Sequence, residues 1–408
     1  MRRRPELLSP AGDMESLRAA LQFGADAVYL AGKQFGMRSA PKNFDREDLR
    51  AACSLAHGMG RRVYVTCNIL PRNDELADLP GFLQYAQDCG VDALIIADLG
   101  VLEMAKAYAP DVALHVSTQA GVTNYAAANA LYRLGASRVV LAREVPLTEV
   151  AVIRDHISDD LEIECFVHGA MCVSFSGRCL ISSYMTGRDA NHGDCAQPCR
   201  WKYHLFEETR EGQFFPVEED RSGTYLYNSR DMCMIGHIPD LVQAGVSSFK
   251  IEGRAKSAYY TAVVTNAYRH AIDDYLQEGE RFTLKPWIRE ELEKISHRAY
   301  STGFYLGTEP GQEVRSGGYI RRYNQCAVCE EQLDSQTAVI TQRNKFYVGD
   351  VLDVLPPDGV PMTVRCLSLT NEAGESVESA PHPMERLTIK TDKPVPAGSL
   401  IRVKSENM

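Results

Sequence analysis

The chain has 408 residues, 45% of them hydrophobic, and a formal net charge of -10. That length can bury a large core and predicts two domains, while the acidic balance excludes a protein that coats nucleic acid non-specifically, so any RNA contact must be local. No apolar run is long enough to span a bilayer, and Met1-Arg-Arg-Arg runs into the strand-like Glu6-Leu-Leu-Ser-Pro without a signal-type apolar stretch. The expectation is a soluble cytoplasmic protein whose twelve cysteines stay reduced unless a metal claims them.

Along the first half one unit recurs: an amphipathic helix ending in Gly, a short step, then an apolar run. It appears as Gly24-Ala-Asp-Ala-Val-Tyr-Leu-Ala31, Gly60-Arg-Arg-Val-Tyr-Val-Thr-Cys-Asn68, Gly90-Val-Asp-Ala-Leu-Ile-Ile-Ala-Asp98, Gly135-Ala-Ser-Arg-Val-Val-Leu-Ala-Arg-Glu144 and Gly245-Val-Ser-Ser-Phe-Lys-Ile-Glu252. Each Gly suits a left-handed helix cap, and each apolar run reads as a strand buried on both faces. With residues 6–11, 113–118 and 162–167 this gives eight strands alternating with helices, which predicts a (β/α)8 TIM-type barrel over residues 1–310. A doubly wound open sheet fits the alternation almost as well, but no Gly-x-Gly-x-x-Gly turn follows the first strand.

In a barrel, chemistry belongs at the carboxyl ends of the strands. The polar residues predicted there are Asn68, Asp98, Thr118, Gln119, Arg143, Glu144, His168, Lys250 and Glu252. Any one of them can equally be a cap or loop residue; their recurrence at one end is the signal. Lys250 and Glu252 share a face of the eighth strand, which suits either a bound carboxylate opposite an acid or base, or an internal salt bridge.

Between the seventh and eighth strands lies a cysteine-rich insertion at about 170–233, with thiols at Cys172, Cys179, Cys195, Cys199 and Cys233. These uneven, wide spacings suit iron–sulfur ligation better than zinc, whose paired short spacings are missing. A hairpin, Tyr203 to Glu208 and Thr224 to Tyr227, is expected to return Cys233 beside the others, leaving Cys199 spare. Cys199 and Cys165 also read as ordinary buried thiols. Arg178, Arg188, Arg200 and Lys202 cluster here, and Arg254, Lys256, Arg315, Arg321 and Arg322 further on; singly, each reads as a surface charge.

After a last helical pattern over residues 286–298, the composition changes. Residues 311–330 read as a linker, and 331–408 as a small antiparallel β-barrel of short alternating runs, with Pro356-Pro-Asp-Gly359 and Pro394-Val-Pro-Ala-Gly398 as turns. Cys326-Ala-Val-Cys329 has metal-ligand spacing, but a lone pair favours a structural role.

The run Glu164-x-Phe166-x-x-Gly169-Ala170-Met171-Cys172-x4-Gly177-x-Cys179-x-Ile181-Ser182 resembles, position by position, the signature of peptidase family U32, the collagenase-like proteases. Glu6-Leu-Leu-Ser-Pro-Ala-Gly12, Asn228-Ser229 with Asp231, and Lys250-Ile-Glu-Gly-Arg254 are similar too, so the resemblance covers nearly the whole chain. It implies oxygen-independent hydroxylation with a 4Fe–4S cluster on four cysteines, here Cys172, Cys179, Cys195 and Cys233. In some relatives the position of Cys199 replaces another ligand. The family's branches hydroxylate the tRNA wobble uridine at carbon 5, an rRNA cytidine, or the ubiquinone ring, with prephenate as hydroxyl source in the RNA branches. The length, the Arg188-to-Tyr203 run and the C-terminal domain resemble the tRNA branch most.

That resemblance implies the tRNA anticodon region as partner, with an electron donor or a paralogous protein beside it and no membrane. The expected catalytic set is Lys250, Glu252, Arg143 and His168, with Lys250, Arg143 and Arg254 holding donor carboxylates or phosphate, and the base stacked on Trp201 or Tyr203. The alternative is the proteolysis that the family name asserts. It finds no His-Glu-x-x-His, no Gly-x-Ser-x-Gly and no catalytic dyad in the sequence. A non-catalytic RNA-binding scaffold with a structural metal is the third reading.

Overall fold

A computed structural model describes residues 4–37, 42–172, 174–201, 219–220, 223–224, 229–307, 319–357 and 359–405. Seven parallel strands follow the predicted alternation: β1 Glu6–Pro10, β2 Ala27–Ala31, β3 Arg62–Cys67, β4 Ala93–Ile96, β5 Ala113–Val116, β6 Arg138–Val140 and β7 Glu162–Ala170. Helices α1 Met14–Gln22, α2 Arg46–Gly58, α3 Leu79–Asp88, α4 Leu99–Tyr108, α5 Tyr125–Arg133 and α6 Leu147–Asp155 connect them in turn. A short strand, β8 Asp231–Cys233, runs antiparallel to the end of β7. The eighth barrel strand, β9 Ser248–Ile251, then pairs in parallel with both β1 and β7, closing the ring. The TIM-type barrel is thereby borne out and the open sheet excluded.

The repeat encodes this closure. Gly24, at φ 100°, ends the first helical unit where a Cβ would sit 2.6 Å from Cγ of Arg269, so a left-handed glycine lets α1 pass close under the barrel's last helix. The barrel wall buries one apolar cluster between strands and helices and a second, smaller one inside, made of Leu8, Ala27, Tyr29, Tyr64, Ala93 and Ile95. Beside the inner cluster lies an ion network: Arg138 Nη1 donates to Glu6 at 2.6 Å and to Glu164 at 3.0 Å, and Tyr64 OH donates to Glu6 at 2.6 Å. Buried charges at this depth persist only because each is paired and hydrogen-bonded.

After α7 Ile181–Thr186 in the insertion and α8 Ile238–Gln243 before β9, the long helix α9 Ala258–Glu278 and α10 Pro286–Leu292 follow. A two-residue strand, β10 Tyr300–Ser301, pairs with β8. The second domain is a closed six-strand antiparallel barrel of β11 Tyr323–Gln332, β12 Thr337–Gln342, β13 Val351–Leu355, β14 Met362–Asn371, β16 Arg386–Thr391 and β17 Leu400–Lys404, with β15 Ser376–Val377 on β14. The strand order is β13-β17-β11-β12-β16-β14, closed by β13 on β14. Its first strand starts inside the stretch read as linker (311–330): the alternation over 323–332 is broken by bulges and so hid from a period-two reading. Fully buried Arg402 joins the domains, its Nη2 2.7 Å from Glu291 of α10.

Of the predicted insertion hairpin, the Tyr203–Glu208 arm lies outside the described residues, as does all but Thr224 of the other arm. Among the described residues, no helix is long and apolar enough to cross a membrane.

Candidate functional site: a thiol-lined cavity at the barrel mouth

A cavity opens at the carboxyl ends of the strands, between the barrel and the insertion. Six of the nine strand-end residues singled out from the sequence line it: Asn68, Thr118, Gln119, Arg143, Lys250 and Glu252. The other three do different work. Asp98 caps α4, accepting the Val101 N–H at 3.1 Å. Glu144 accepts the Ser176 N–H at 2.7 Å and its hydroxyl at 2.6 Å. This clamps Ser176 in the left-handed conformation at φ 46° that turns the chain between Cys172 and Cys179.

His168 is the third. Counting by twos from Glu164 and Phe166 places it inward, but a bulge in β7 sets Phe166 opposite Lys250 and His168 opposite Ile251, which flips the parity. His168 is instead buried against the rings of Tyr260, Tyr268 and Tyr300, and burial, with His297 and Lys256 adding repulsion, holds its imidazole down at about 3. It is neutral there and does not line the cavity.

Lys250 is the buried cation at the cavity floor. Its Nζ donates to Glu164 at 2.6 Å and lies 4.6 Å from the centroid of the Tyr29 ring. Burial lowers its pKa below that of an ordinary lysine, opposed by Glu164 and reinforced by Arg138 and Arg143. Its salt-bridge partner is therefore Glu164 on the neighbouring strand rather than Glu252. Arg143 stacks on Phe166, its guanidinium carbon 3.9 Å from the ring centroid, and donates to the Ala170 carbonyl at 2.8 Å. Asn68 and Gln119 fix one another across the floor at 2.8 Å. Sequence reasoning missed Glu164 as a site residue, although an acid inside the otherwise apolar run Ile163 to Val167 is a legible signal.

The opposite wall is the insertion, which brings Cys172, Cys179, Cys195 and Cys199 to the same cavity. Three of them accept a backbone N–H two residues on, at 3.4 Å each: Ser174 to Cys172, Ile181 to Cys179 and Gln197 to Cys195. Asn191 holds this wall together, accepting the Cys179 N–H at 3.1 Å and donating to its carbonyl at 3.0 Å. Burial raises the Cys199 thiol's pKa, with Arg200 opposing and Cys172, Cys195 and Cys179 adding repulsion, so the four sulfurs sense one another.

Cys233 does not line this cavity. It lies opposite His168 of β7 in the antiparallel pair, and directly opposed residues share a face. Its half-buried thiol interacts with the Tyr268 hydroxyl, and desolvation pushes it up to about 11. Among the described residues, no three His, Cys, Asp or Glu side chains converge on the position of a single metal ion. Trp201 is exposed beside Arg200, whereas Tyr203, Lys202 and Arg315 lie outside the described residues.

A parallel barrel with a cysteine-walled cavity on its seventh crossover and an antiparallel barrel behind it defines a distinct class of α/β protein. Residues 12–315 match peptidase family U32 and residues 321–402 match the peptidase family U32 C-terminal domain. The chain belongs to this family, as the cysteine signature implied. It is 35% identical over 98% of its length, and 95% of the relative's, to tRNA hydroxylation protein P1 of Bacillus subtilis. It is 37% identical over 76% of its length to the 23S rRNA 5-hydroxycytidine C2501 synthase of Escherichia coli, of which 46% is covered. An uncharacterised protease of Methanocaldococcus jannaschii is 43% identical over 74% of this chain and 73% of its own.

Proposed function

We propose that this protein hydroxylates a pyrimidine ring of RNA, with the wobble uridine of tRNA as substrate and carbon 5 as the site. The observation that carries the reading is the convergence of four thiols and the cations Lys250, Arg143 and Arg254 on one cavity at the barrel mouth. Similarity at full length to a protein named for tRNA hydroxylation supports it, and so does similarity over part of the chain to an rRNA hydroxycytidine synthase. An rRNA substrate is the second choice, because that relative is more than twice as long as the stretch matched.

The donor set fits an iron–sulfur cluster. Four thiols surround one cavity, and three take the backbone N–H···S bonds that tune such clusters. A cluster of several irons also holds its ligands farther apart than one ion does, which fits side chains that do not close on a single point. Cys172, Cys179 and Cys195 would hold it, with Cys199 rather than Cys233 as the fourth. When bound, it supplies electrons at the cavity wall.

The protein's own residues do the rest. Lys250, Arg143 and Arg254 neutralise the carboxylates of the hydroxyl donor, a dicarboxylate such as prephenate. Glu164 keeps Lys250 pointed at the floor, and Asn68 and Gln119 offer amide groups to the edge of the ring. Phe166, Met171, Ile181 and Pro198 exclude water, and Glu252 is the acid or base within the cavity. Proteolysis has less support: among the described residues no histidine lines the cavity, so none of its thiols or hydroxyls has an imidazole base.

The test is nucleoside analysis of tRNA from cells lacking this protein. Expression of the wild type restores 5-hydroxyuridine-type nucleosides, and Cys172→Ala does not. Full restoration by Cys172→Ala overturns the reading.

A further inference from the structure

A second cavity adjoins the first, and Arg254, itself only 4% exposed, lines both. Its other charged residues are Lys42, Lys256 and Asp13. Three described stretches line it: Gly12, Asp13 and Ser16 after β1, Lys42 ahead of α2, and Arg254 to Lys256 after β9. They are tied together, since the Asn43 N–H donates to the Gly12 carbonyl at 3.1 Å and Arg254 Nη1 donates to Asn43 Oδ1 at 3.4 Å.

The charge count is lopsided. Asp13 is engaged as the cap of α1, accepting the Ser16 N–H at 2.9 Å. Lys42 and Lys256 stand in no ion pair among the described residues; the Lys256 ammonium lies 4.4 Å from the centroid of the Tyr319 ring. In a chain of net charge -10, two lysines that stand in no ion pair, converging on a cavity whose one carboxylate already caps a helix, call for an anion from outside. Phosphate-binding barrels commonly use the loops after strands seven and eight. Here the seventh crossover is given over to the cysteines, and the cationic pocket lies between the eighth strand and the first.

We propose that this second cavity binds a backbone phosphate of the RNA, beside the nucleotide whose base enters the thiol-lined cavity. The shared Arg254 sets the two groups next to each other, as base and phosphate are in a strand. The identity of the anion as RNA rests on the hydroxylase reading; the existence of the anion site does not.

The experiment uses the full-length Lys42→Gln/Lys256→Gln protein, with Lys42→Arg/Lys256→Arg as the charge-conserving control. Binding of a fluorescently labelled RNA stem-loop with a uridine-containing loop is followed by anisotropy across a series of KCl concentrations, with and without inorganic phosphate. The Gln variant is expected to bind several-fold more weakly and to lose about 0.7 from its log–log salt slope for each single-stranded phosphate contact removed. Inorganic phosphate should compete in the wild type and the Arg variant but not in the Gln variant. Equal slopes and equal competition in all three overturn the proposal while leaving the hydroxylase reading intact. If the wild type binds no RNA, yet inorganic phosphate raises its melting temperature and not that of the Gln variant, the anion site stands and the RNA reading falls. No phosphate effect on either protein overturns the site.

Discussion

The cysteine-rich insertion and the C-terminal barrel hold thiols in opposite environments. In the barrel, Cys326, Cys329 and Cys366 are buried in the apolar core, where burial raises all three and pushes Cys329 and Cys366 up to about 11. In the insertion, Cys172, Cys179, Cys195 and Cys199 are only partly buried, face one cavity, and three of them accept backbone N–H groups. A thiol in the first setting is a small hydrophobe; one in the second is poised to be a ligand. The contrast teaches that spacing alone misleads. Cys326 and Cys329 have the tidy metal-type interval, but a bulged strand turns both into the core.

The largest expected effect breaks this comparison directly. After anaerobic purification, Cys179→Ala and Cys199→Ala should each lose most bound iron, with the visible absorbance and hydroxylation. Cys326→Ala should keep both and cost only about 1–2 kcal/mol of stability, as small core truncations do. Cys233→Ala is the sharpest member of the set: iron content near the wild-type value is expected. Loss of iron in Cys233→Ala with retention in Cys199→Ala would reverse the fourth-ligand assignment.

The next effect lies on the cavity floor. Removing Lys250 alone would leave the buried Glu164 Oε1 without its donor, with only Oε2 still held by Arg138 and Ser248, which costs a few kcal/mol. The informative variant is therefore Lys250→Met with Glu164→Gln. It should keep its iron but need about 10- to 100-fold more donor for half-maximal hydroxylation, the worth of one charge-assisted bond. Because burial lowers the Lys250 pKa, wild-type donor binding should weaken as pH rises at a lower pH than an ordinary lysine would give. The double variant should lack that dependence. An unchanged donor response removes Lys250 from the site.

The order in which these residues became legible follows from physics. The barrel could be read because each strand carries its own signal, a Gly-ended helix and a doubly buried apolar run, repeated often enough to survive errors at any one copy. The cavity residues were found at strand ends for the same reason, and six of nine line the cavity. What could not be read depends on a single backbone step. One bulge between Phe166 and His168 reverses the facing of everything after it on β7, and with it the side to which β8 presents Cys233. A sequence does not show where a strand gains a residue over its partner. Nor does spacing show that Gln197, in the left-handed region at φ 58°, turns the chain so that Cys195 and Cys199 reach the same cavity.

The smallest effect follows from that same bulge. His168 sits neutral among tyrosines, held at about 3 chiefly by burial. An unfolded histidine titrates near 6.5. Between these values the unfolded state carries the extra proton, so the stability that neutral His168 provides is present above about pH 6.5 and is lost as pH falls toward 3. The loss runs to about 1.4 kcal/mol per pH unit for one such group. His115, also lowered by burial, adds a loss of the same sign. Urea midpoints at pH 7 and pH 5 should therefore fall less in His168→Gln than in the wild type, whatever the substitution costs at neutral pH. A cavity-facing, protonated His168 would predict no such difference. Equal falls in the two proteins would return it to the catalytic set.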